Sequence, residues 1–326
     1  MEPVLLGLIG LALIFDFLNG IHDSSNIVAT MISSRAFSPR FALGVTAVAE
    51  FAGPFIFGVA VATTIGDEVA VSSAITMNVL LAALVSAILW NVLTWFLGIP
   101  SSSSHALIGG LVGAVAMGAG FGAIKMAGVN KVLVALFASP FIGLFAGFLF
   151  TRLIFFLARG ASPKINIFFQ KSQLVTGIAL ALSHGTNDAQ KTMGVITLGL
   201  VTAGVIPSFE VPVWVIAASA GAIALGTSLG GWRLIKTLGG RFYKIRPVHG
   251  FSSQLTSATV ILLASVVGGP VSTTQVVSSA IMGAGSAQRV NMVRWGVAKD
   301  IVVAWVVTIP ATAGVAAAVF WVLERL

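Results

Sequence analysis

The sequence predicts an all-α polytopic membrane protein made of two inverted-topology repeats, with broken or re-entrant helices at the membrane midplane. Three observations lead there. The 326 residues are 57% hydrophobic and only 9% charged, with a mean hydropathy of +1.02, whereas a soluble domain carries about 25% charged residues. Two polar motifs set in this apolar background each occur twice, at nearly the same separation. Finally, five apolar runs precede a polar linker and five follow it, so the second copy enters the membrane from the opposite side.

The runs cover 4–34, 41–64, 74–97, 102–122 and 132–157, then 174–205, 212–232, 250–268, 271–286 and 298–323. Continuous Ala, Leu, Val and Gly content fits spans of about 20 residues and not the alternating strands of a barrel. The linker reads RGASPKINIFFQK at 159–171. The expected organisation is a first repeat over 1–158, a cytoplasmic linker over 159–172 and a second repeat over 173–326, within one integrated membrane domain. As one helix, the run 4–34 would measure about 46 Å, longer than the ~30 Å apolar core. A break is therefore expected at Asn19-Gly20, with a matching one inside 174–205. Pro100 and Pro270 each remove a backbone donor and predict re-entrant turns, which puts the span count between ten and twelve.

Charge placement orients the chain. Arg35, Arg40, Arg152, Arg159, Lys164, Lys171, Arg233, Lys236, Arg241, Lys244, Arg246, Arg289, Arg294 and Lys299 fall in loops on one side. The other side holds Lys125, Lys131 and Arg325 together with Glu2, Asp67, Glu68, Glu210 and Glu324. Fourteen basic residues against three place the linker in the cytoplasm and both termini outside a plasma membrane. The net charge of +8 is thereby explained by topology, and no nucleic-acid partner is expected. The N-terminal MEPVLLGLIG has an acid where a signal peptide needs basic residues, so it is read as a retained first helix. The chain has no cysteine, which excludes disulfides, thiolate metal sites and thiol nucleophiles.

The duplicated motifs carry the chemistry. NGIHDSSNIVAT (19–30) matches SHGTNDAQKTMG (183–194) at a shift of 165. Gly20 then falls on Gly185, His22 on Asn187, Asp23 on Asp188 and Asn26 on Lys191. GIPSSSSHALIGGLVGA (98–114) matches GGPVSTTQVVSSAIMGA (268–284) at a shift of 170, which pairs Pro100 with Pro270, Ser102–Ser104 with Ser272–Thr274, and His105 with Gln275. A hydroxyl at a helix start caps it, and the free N–H groups of a first helical turn attract anions. Two such starts with Ser102, Ser103, Ser104, Ser272, Thr273 and Thr274 describe a site for a tetrahedral oxyanion. Hydroxyls donate and accept, which suits a phosphate that keeps a proton. Asp23 and Asp188 would repel that anion unless each holds a cation or a proton, and their oxygens suit a hard cation such as sodium. Anion uptake is then linked to cation uptake, the logic of a symporter.

Plainer readings stand beside these. Asp16, Glu50 and Asp300 read as structural acids, single hydroxyls can glue membrane helices, and His249 reads as interfacial. The glycines of GGLVGAVAMGAG (109–120) read as close packing. His105 beside four serines lacks the G-x-S-x-G elbow of a hydrolase, so no enzyme is expected. Lys191 either pairs with Asp188 one helical turn away or reaches the anion, and the roles of Lys191, His105 and Gln275 stay open.

At these motifs the chain resembles the inorganic phosphate transporter (PiT) family. The matching stretches are GIHDSSNIVAT, HGTNDAQKTMG, PSSSSHALIGG and GPVSTTQVVSSAIMGA, with GFSSQLTSA at 250–258 a weaker one. The resemblance implies inverted repeats, a phosphate site with coupling cations, and a homodimer. It puts Asp23, Asn26, Asn187 and Asp188 at the cation and phosphate site and gives the hydroxyls after Pro100 and Pro270 to phosphate. Three positions depart from the family pattern. Gly-Ala-Asn-Asp becomes Gly20-Ile21-His22-Asp23, Gln275 stands for a histidine, and Gln254 stands for an acid. His22 exchanges an amide oxygen for a ring that titrates near neutral pH. It resembles bacterial members thought to be proton-coupled, some carrying phosphate as a divalent-metal complex. Proton-coupled phosphate symport is therefore the favoured expectation, with His22 the candidate proton-coupling residue. Sodium coupling at Asp23 and Asp188, or transport of another oxyanion such as sulfate, is the alternative. No cofactor is expected beyond the coupling ion.

Overall fold

The computed structural model describes residues 3–68 and 71–326. Of the acids in the charge count, Glu2 and the side chains of Asp67 and Glu68 lie outside the described residues. The first half contains α1 (Pro3–Ser33), α2 (Pro39–Phe57), α3 (Ala60–Glu68), α4 (Met77–Leu97), α5 (Ser103–Ala119) and α6 (Met126–Leu157). The second half contains α7 (Ile165–Thr202), α8 (Val213–Leu229), α9 (Trp232–Lys236), α10 (Pro247–Val266), α11 (Thr273–Gln288) and α12 (Trp295–Leu323). Each half is therefore a long helix, a helix with a short companion, a hairpin and a second long helix. No strand occurs among the described residues.

The hairpins turn where the prolines predicted. Gly98 ends α4 with φ of 68°, and Gly268 follows α10 with φ of 72°, a left-handed conformation that glycine adopts without a Cβ clash. Pro100 and Pro270 follow, and then Ser102 and Ser272 cap the returning helices by accepting from His105 N at 3.2 Å and Gln275 N at 3.4 Å. The returning arms are sunk in the protein, with every residue from Thr273 to Ala287 buried. By contrast, α6 and α12 present Phe141, Phe145, Val302 and Val306 outward, the apolar surface that a bilayer requires. Among the described residues six helices (α1, α2, α4, α6, α7 and α12) are long and apolar enough to span alone, fewer than the ten to twelve spans expected because several apolar runs form short or buried arms. The segment Val213–Leu229 with Trp232–Arg241, bent by 60°, makes a seventh as a broken span.

The repeats are interleaved. α1 packs on α8 while α7 packs on α2, and α5 packs on α12 while α11 packs on α6. Glycines set these crossings at matched places. A Cβ on Gly20 would lie 2.1 Å from Ile223 O, and one on Gly185 would lie 2.1 Å from Glu50 O. Gly113 meets Ala313 O, and Gly283 meets Leu144 O, at 2.2 Å each by the same measure, so Gly109, Gly110, Gly113 and Gly118 do serve close packing, while Gly120 has open space around it.

The expected breaks in the two long helices do not occur. α1 runs unbroken through Asn19-Gly20, and α7 runs unbroken through His184-Gly185. The glycines admit a neighbouring backbone instead of ending a helix, and the polar side chains find partners across the crossings. His249, read as interfacial, points into the protein. It is buried, its ring stacks edge-on against Tyr243, and its Nδ1 accepts from Arg246 N at 3.3 Å at the start of α10.

A buried site between α1, α7 and the two hairpins

The crossing of α1 and α7 brings the two duplicated acids together, both fully buried. Their partners follow a swapped pattern. His22 Nδ1 lies 2.9 Å from Asp23 Oδ1. With the Asn187 amide oriented so that donors face acceptors, its nitrogen lies 3.2 Å from Asp188 Oδ1. Each acid is also met from the other repeat. Asn19 Nδ2 donates to Asp188 Oδ2 at 3.3 Å, and His184 Nε2 lies 3.6 Å from Asp23 Oδ2 and 3.5 Å from Asp188 Oδ2. His22 thus stands at Asp23, two amides stand at Asp188, and the His184 ring is shared between the acids. Lys191 Nζ donates to Asp188 Oδ1 at 2.6 Å.

The second hydroxyl cluster closes over both acids. Thr273 Oγ1 donates to Asp188 Oδ2 at 3.1 Å, and Thr274 Oγ1 donates to Asp23 Oδ1 at 3.0 Å. Asn26 Nδ2 in turn donates to Thr274 Oγ1 at 3.0 Å. The first cluster meets the second and not the acids. Ser104 Oγ donates to Val271 O at 3.2 Å, and His105 Nδ1 lies 3.2 Å from Gln275 Nε2. The two helix starts therefore face each other through pseudo-equivalent residues. Gln254 joins α10 to both long helices, accepting from Thr176 Oγ1 at 2.7 Å and donating to Thr30 Oγ1 at 3.0 Å.

Two site residues escape a reading of the sequence. His184 Nδ1 sits 2.6 Å from Glu50 Oε1, so Glu50, expected to be structural, fixes the ring that stands between the acids. The shift of 165 that pairs Asp23 with Asp188 also pairs Asn19 with His184, and that was the available signal. Glu50 has no acidic counterpart, because Ile223 occupies its place at the matching crossing. Of the other two acids, Asp16 is buried and Asp300 is exposed.

The donor set can hold a cation. One ligand atom each from Asp23, His184 and Asp188 lie within 4.8 Å of one another. Asp23 Oδ2, Asn19 Oδ1, Asn26 Oδ1 and Glu50 Oε2 are buried without a hydrogen-bond donor among the described residues. Buried acceptors of this kind are costly unless satisfied, and carboxylate and amide oxygens suit a hard cation.

Comparison with known proteins fits this arrangement. The chain is 44% identical to a probable low-affinity inorganic phosphate transporter of Bacillus subtilis (strain 168), over 97% of this chain and 96% of the relative. It is also 44% identical to one of Rhizobium meliloti (strain 1021), over 99% of this chain and 97% of the relative. Among solved structures, the sodium-dependent phosphate transporter superposes with a TM-score of 0.90 at 25% identity, covering 100% of both chains. The sequence profile of the phosphate transporter family matches twice, over residues 19–164 and 158–316, and with these matches the chain belongs to the phosphate transporter family.

Proposed function

We propose that the chain is a secondary transporter that carries inorganic phosphate across the plasma membrane by symport with a cation. One observation carries the reading. Three buried carboxylates (Asp23, Asp188 and Glu50) stand with a single ammonium, Lys191, beneath two opposed, hydroxyl-capped helix starts. An anion entering that field without a cation would meet uncompensated negative charge in a low-dielectric interior, which is strongly unfavourable. A coupling cation taken up among Asp23, Asn26, Asn187 and Asp188 removes the barrier. Phosphate then takes the hydroxyls and N–H groups of Ser102–Ser104 and Ser272–Thr274.

The likeness to a sodium-dependent transporter supports sodium over the proton coupling expected from His22. The buried oxygens without donors support it too, because a ring nitrogen is a poor ligand for a hard ion, and His22 is already engaged with Asp23. The chain acts as a carrier and not an enzyme. Its halves work as the repeats 1–158 and 173–326, with the basic loops and the linker cytoplasmic and both termini outside. Phosphate, the coupling cation, the bilayer and a second copy of the chain are its partners, and nucleic acid is not.

The test is uptake of labelled phosphate into proteoliposomes. An inward sodium gradient at matched pH is compared with an inward proton gradient free of sodium, with labelled sulfate run alongside. Uptake with sodium alone is expected. Uptake driven only by protons would restore the His22 reading, and equal uptake of sulfate would show a general oxyanion carrier and not one selective for phosphate.

A further inference from the structure

The two acids are equivalent by sequence repetition but not by surroundings. Both oxygens of Asp188 are occupied, Oδ1 by Lys191 Nζ at 2.6 Å and Asn187 at 3.2 Å, Oδ2 by Thr273 at 3.1 Å and Asn19 at 3.3 Å. Asp23 Oδ2 accepts no hydrogen bond, its polar neighbour being the shared His184 ring with Nε2 at 3.6 Å, and Asn26 keeps Oδ1 without a donor. The difference traces to one position. Three residues after Asp23 stands Asn26, a neutral side chain that reaches the acid only through Thr274. Three residues after Asp188 stands Lys191, whose charged end binds the acid directly and is 1% exposed.

The hydroxyl geometry adjusts to match. The repeat shift of 170 pairs Thr274 with Ser104, so a symmetric site would have Ser104 on Asp188 as Thr274 is on Asp23. Ser104 instead donates to Val271 O, and the ammonium stands at Asp188 Oδ1.

We infer that Lys191 is a tethered cation. It permanently fills, in the second repeat, the place that an exchangeable coupling cation takes in the first, so each phosphate travels with one exchangeable cation, bound at Asp23, and not two. The inference rests on the symport reading above. An ammonium at 2.6 Å in a buried site neutralises its carboxylate without leaving, and a helical i,i+3 pair holds it there. A mobile cation at Asp188 would have to displace both Lys191 and Thr273. At Asp23 it meets Oδ2 of the acid and Oδ1 of Asn26, which accept no hydrogen bond, and only the His184 ring, 3.6 Å off, need give way.

The coupling number tests this in the unmodified protein. Proteoliposomes are given a tenfold inward sodium gradient at matched pH with the membrane potential clamped to zero, and labelled phosphate is followed to its steady level. If sodium does not drive uptake, the same measurement is made with a proton gradient. One exchangeable cation gives about tenfold accumulation, and two give about 100-fold. Tenfold supports the proposal, and 100-fold overturns it. No accumulation in either gradient refutes the symport reading itself, a separate failure. Lys191→Asn installs the residue of the first repeat and is expected to raise accumulation toward 100-fold, with a steeper dependence on the driving cation. Accumulation that stays tenfold while the KM for phosphate rises would make Lys191 an anion ligand and overturn the proposal. Where Lys191→Asn fails to fold, Lys191→Arg, which keeps the charge, is expected to retain tenfold accumulation, and a change in its coupling number would count against a tethered cation.

Discussion

Replacing Gly185 by alanine tests whether packing and site are one construction. The added methyl carbon would lie 2.1 Å from Glu50 O and 2.9 Å from Glu50 Cγ. Ordinary contact begins near 3.4 Å, so α2 must retreat by about 1.3 Å or α7 must bend, an overpacking strain of about 1–3 kcal/mol. Any retreat also draws Glu50 Oε1 away from His184 Nδ1, now 2.6 Å distant. A charge-assisted hydrogen bond of this kind contributes about 1.5–3 kcal/mol, equivalent to roughly 10–100-fold in an equilibrium. Gly185→Ala is thus expected to lower the melting temperature in detergent and to reduce phosphate uptake per folded molecule tenfold or more. Two comparisons isolate the cause. Gly20→Ala meets Ile223 O at the same 2.1 Å and should lose similar stability without disturbing Glu50. Gly221→Ala, in α8 with nothing within 4 Å, should match or slightly exceed wild-type stability, because alanine favours helix by up to about 1 kcal/mol. Wild-type melting and uptake in Gly185→Ala would refute the coupling of crossing to site.

Asp23→Asn and Asp188→Asn should each abolish gradient-driven uptake while the purified protein still elutes as a folded species; wild-type transport by either would dismiss the assignment of the acids. His184→Gln keeps a polar side chain but cannot stand between both acids, and a loss of uptake of tenfold or more is expected in the same vesicle assay. Thr274→Val removes the donor to Asp23 Oδ1 and the acceptor for Asn26; an unsatisfied buried group costs about 1–3 kcal/mol, so sodium affinity read from the concentration dependence of uptake should shift by about tenfold or more. Ser102→Ala and Ser272→Ala each remove a helix cap, and melting curves should show a loss of about 1 kcal/mol in each.

Much of this was legible in the chain. The duplicated acids, the hydroxyls after Pro100 and Pro270, and the hairpin turns all follow from residue types at fixed spacing, because proline and serine act on the backbone locally. The continuity of α1 and α7 was not legible. Glycine beside a polar residue reads as a helix end when only local propensity is weighed, but the deciding contact comes from Ile223, far later in the chain, at Gly20 and from Glu50, far earlier, at Gly185. Glu50 was hidden for a related reason. Its partner is a histidine 134 residues on, and no repeat of Glu50 marks it, since Ile223 fills the equivalent place. Gln190 shows the reverse. It sits in the polar motif, yet it accepts from Val61 N and Ala62 N at 2.6 and 3.1 Å and so pins the start of α3.

In transporters built from inverted repeats, access alternates as the two repeats exchange postures around a fixed site. Were the halves chemically identical, the outward- and inward-open forms would be images of each other and equally populated. Here Glu50 answers to Ile223 across the pseudo-axis, Lys191 to Asn26, His22 to Asn187 and His184 to Asn19. The two forms are consequently distinct in energy, and each 1.4 kcal/mol between them shifts their populations tenfold. The empty carrier thus has a preferred side at which to wait, set by the divergence of its two halves and not by the gradients across the membrane.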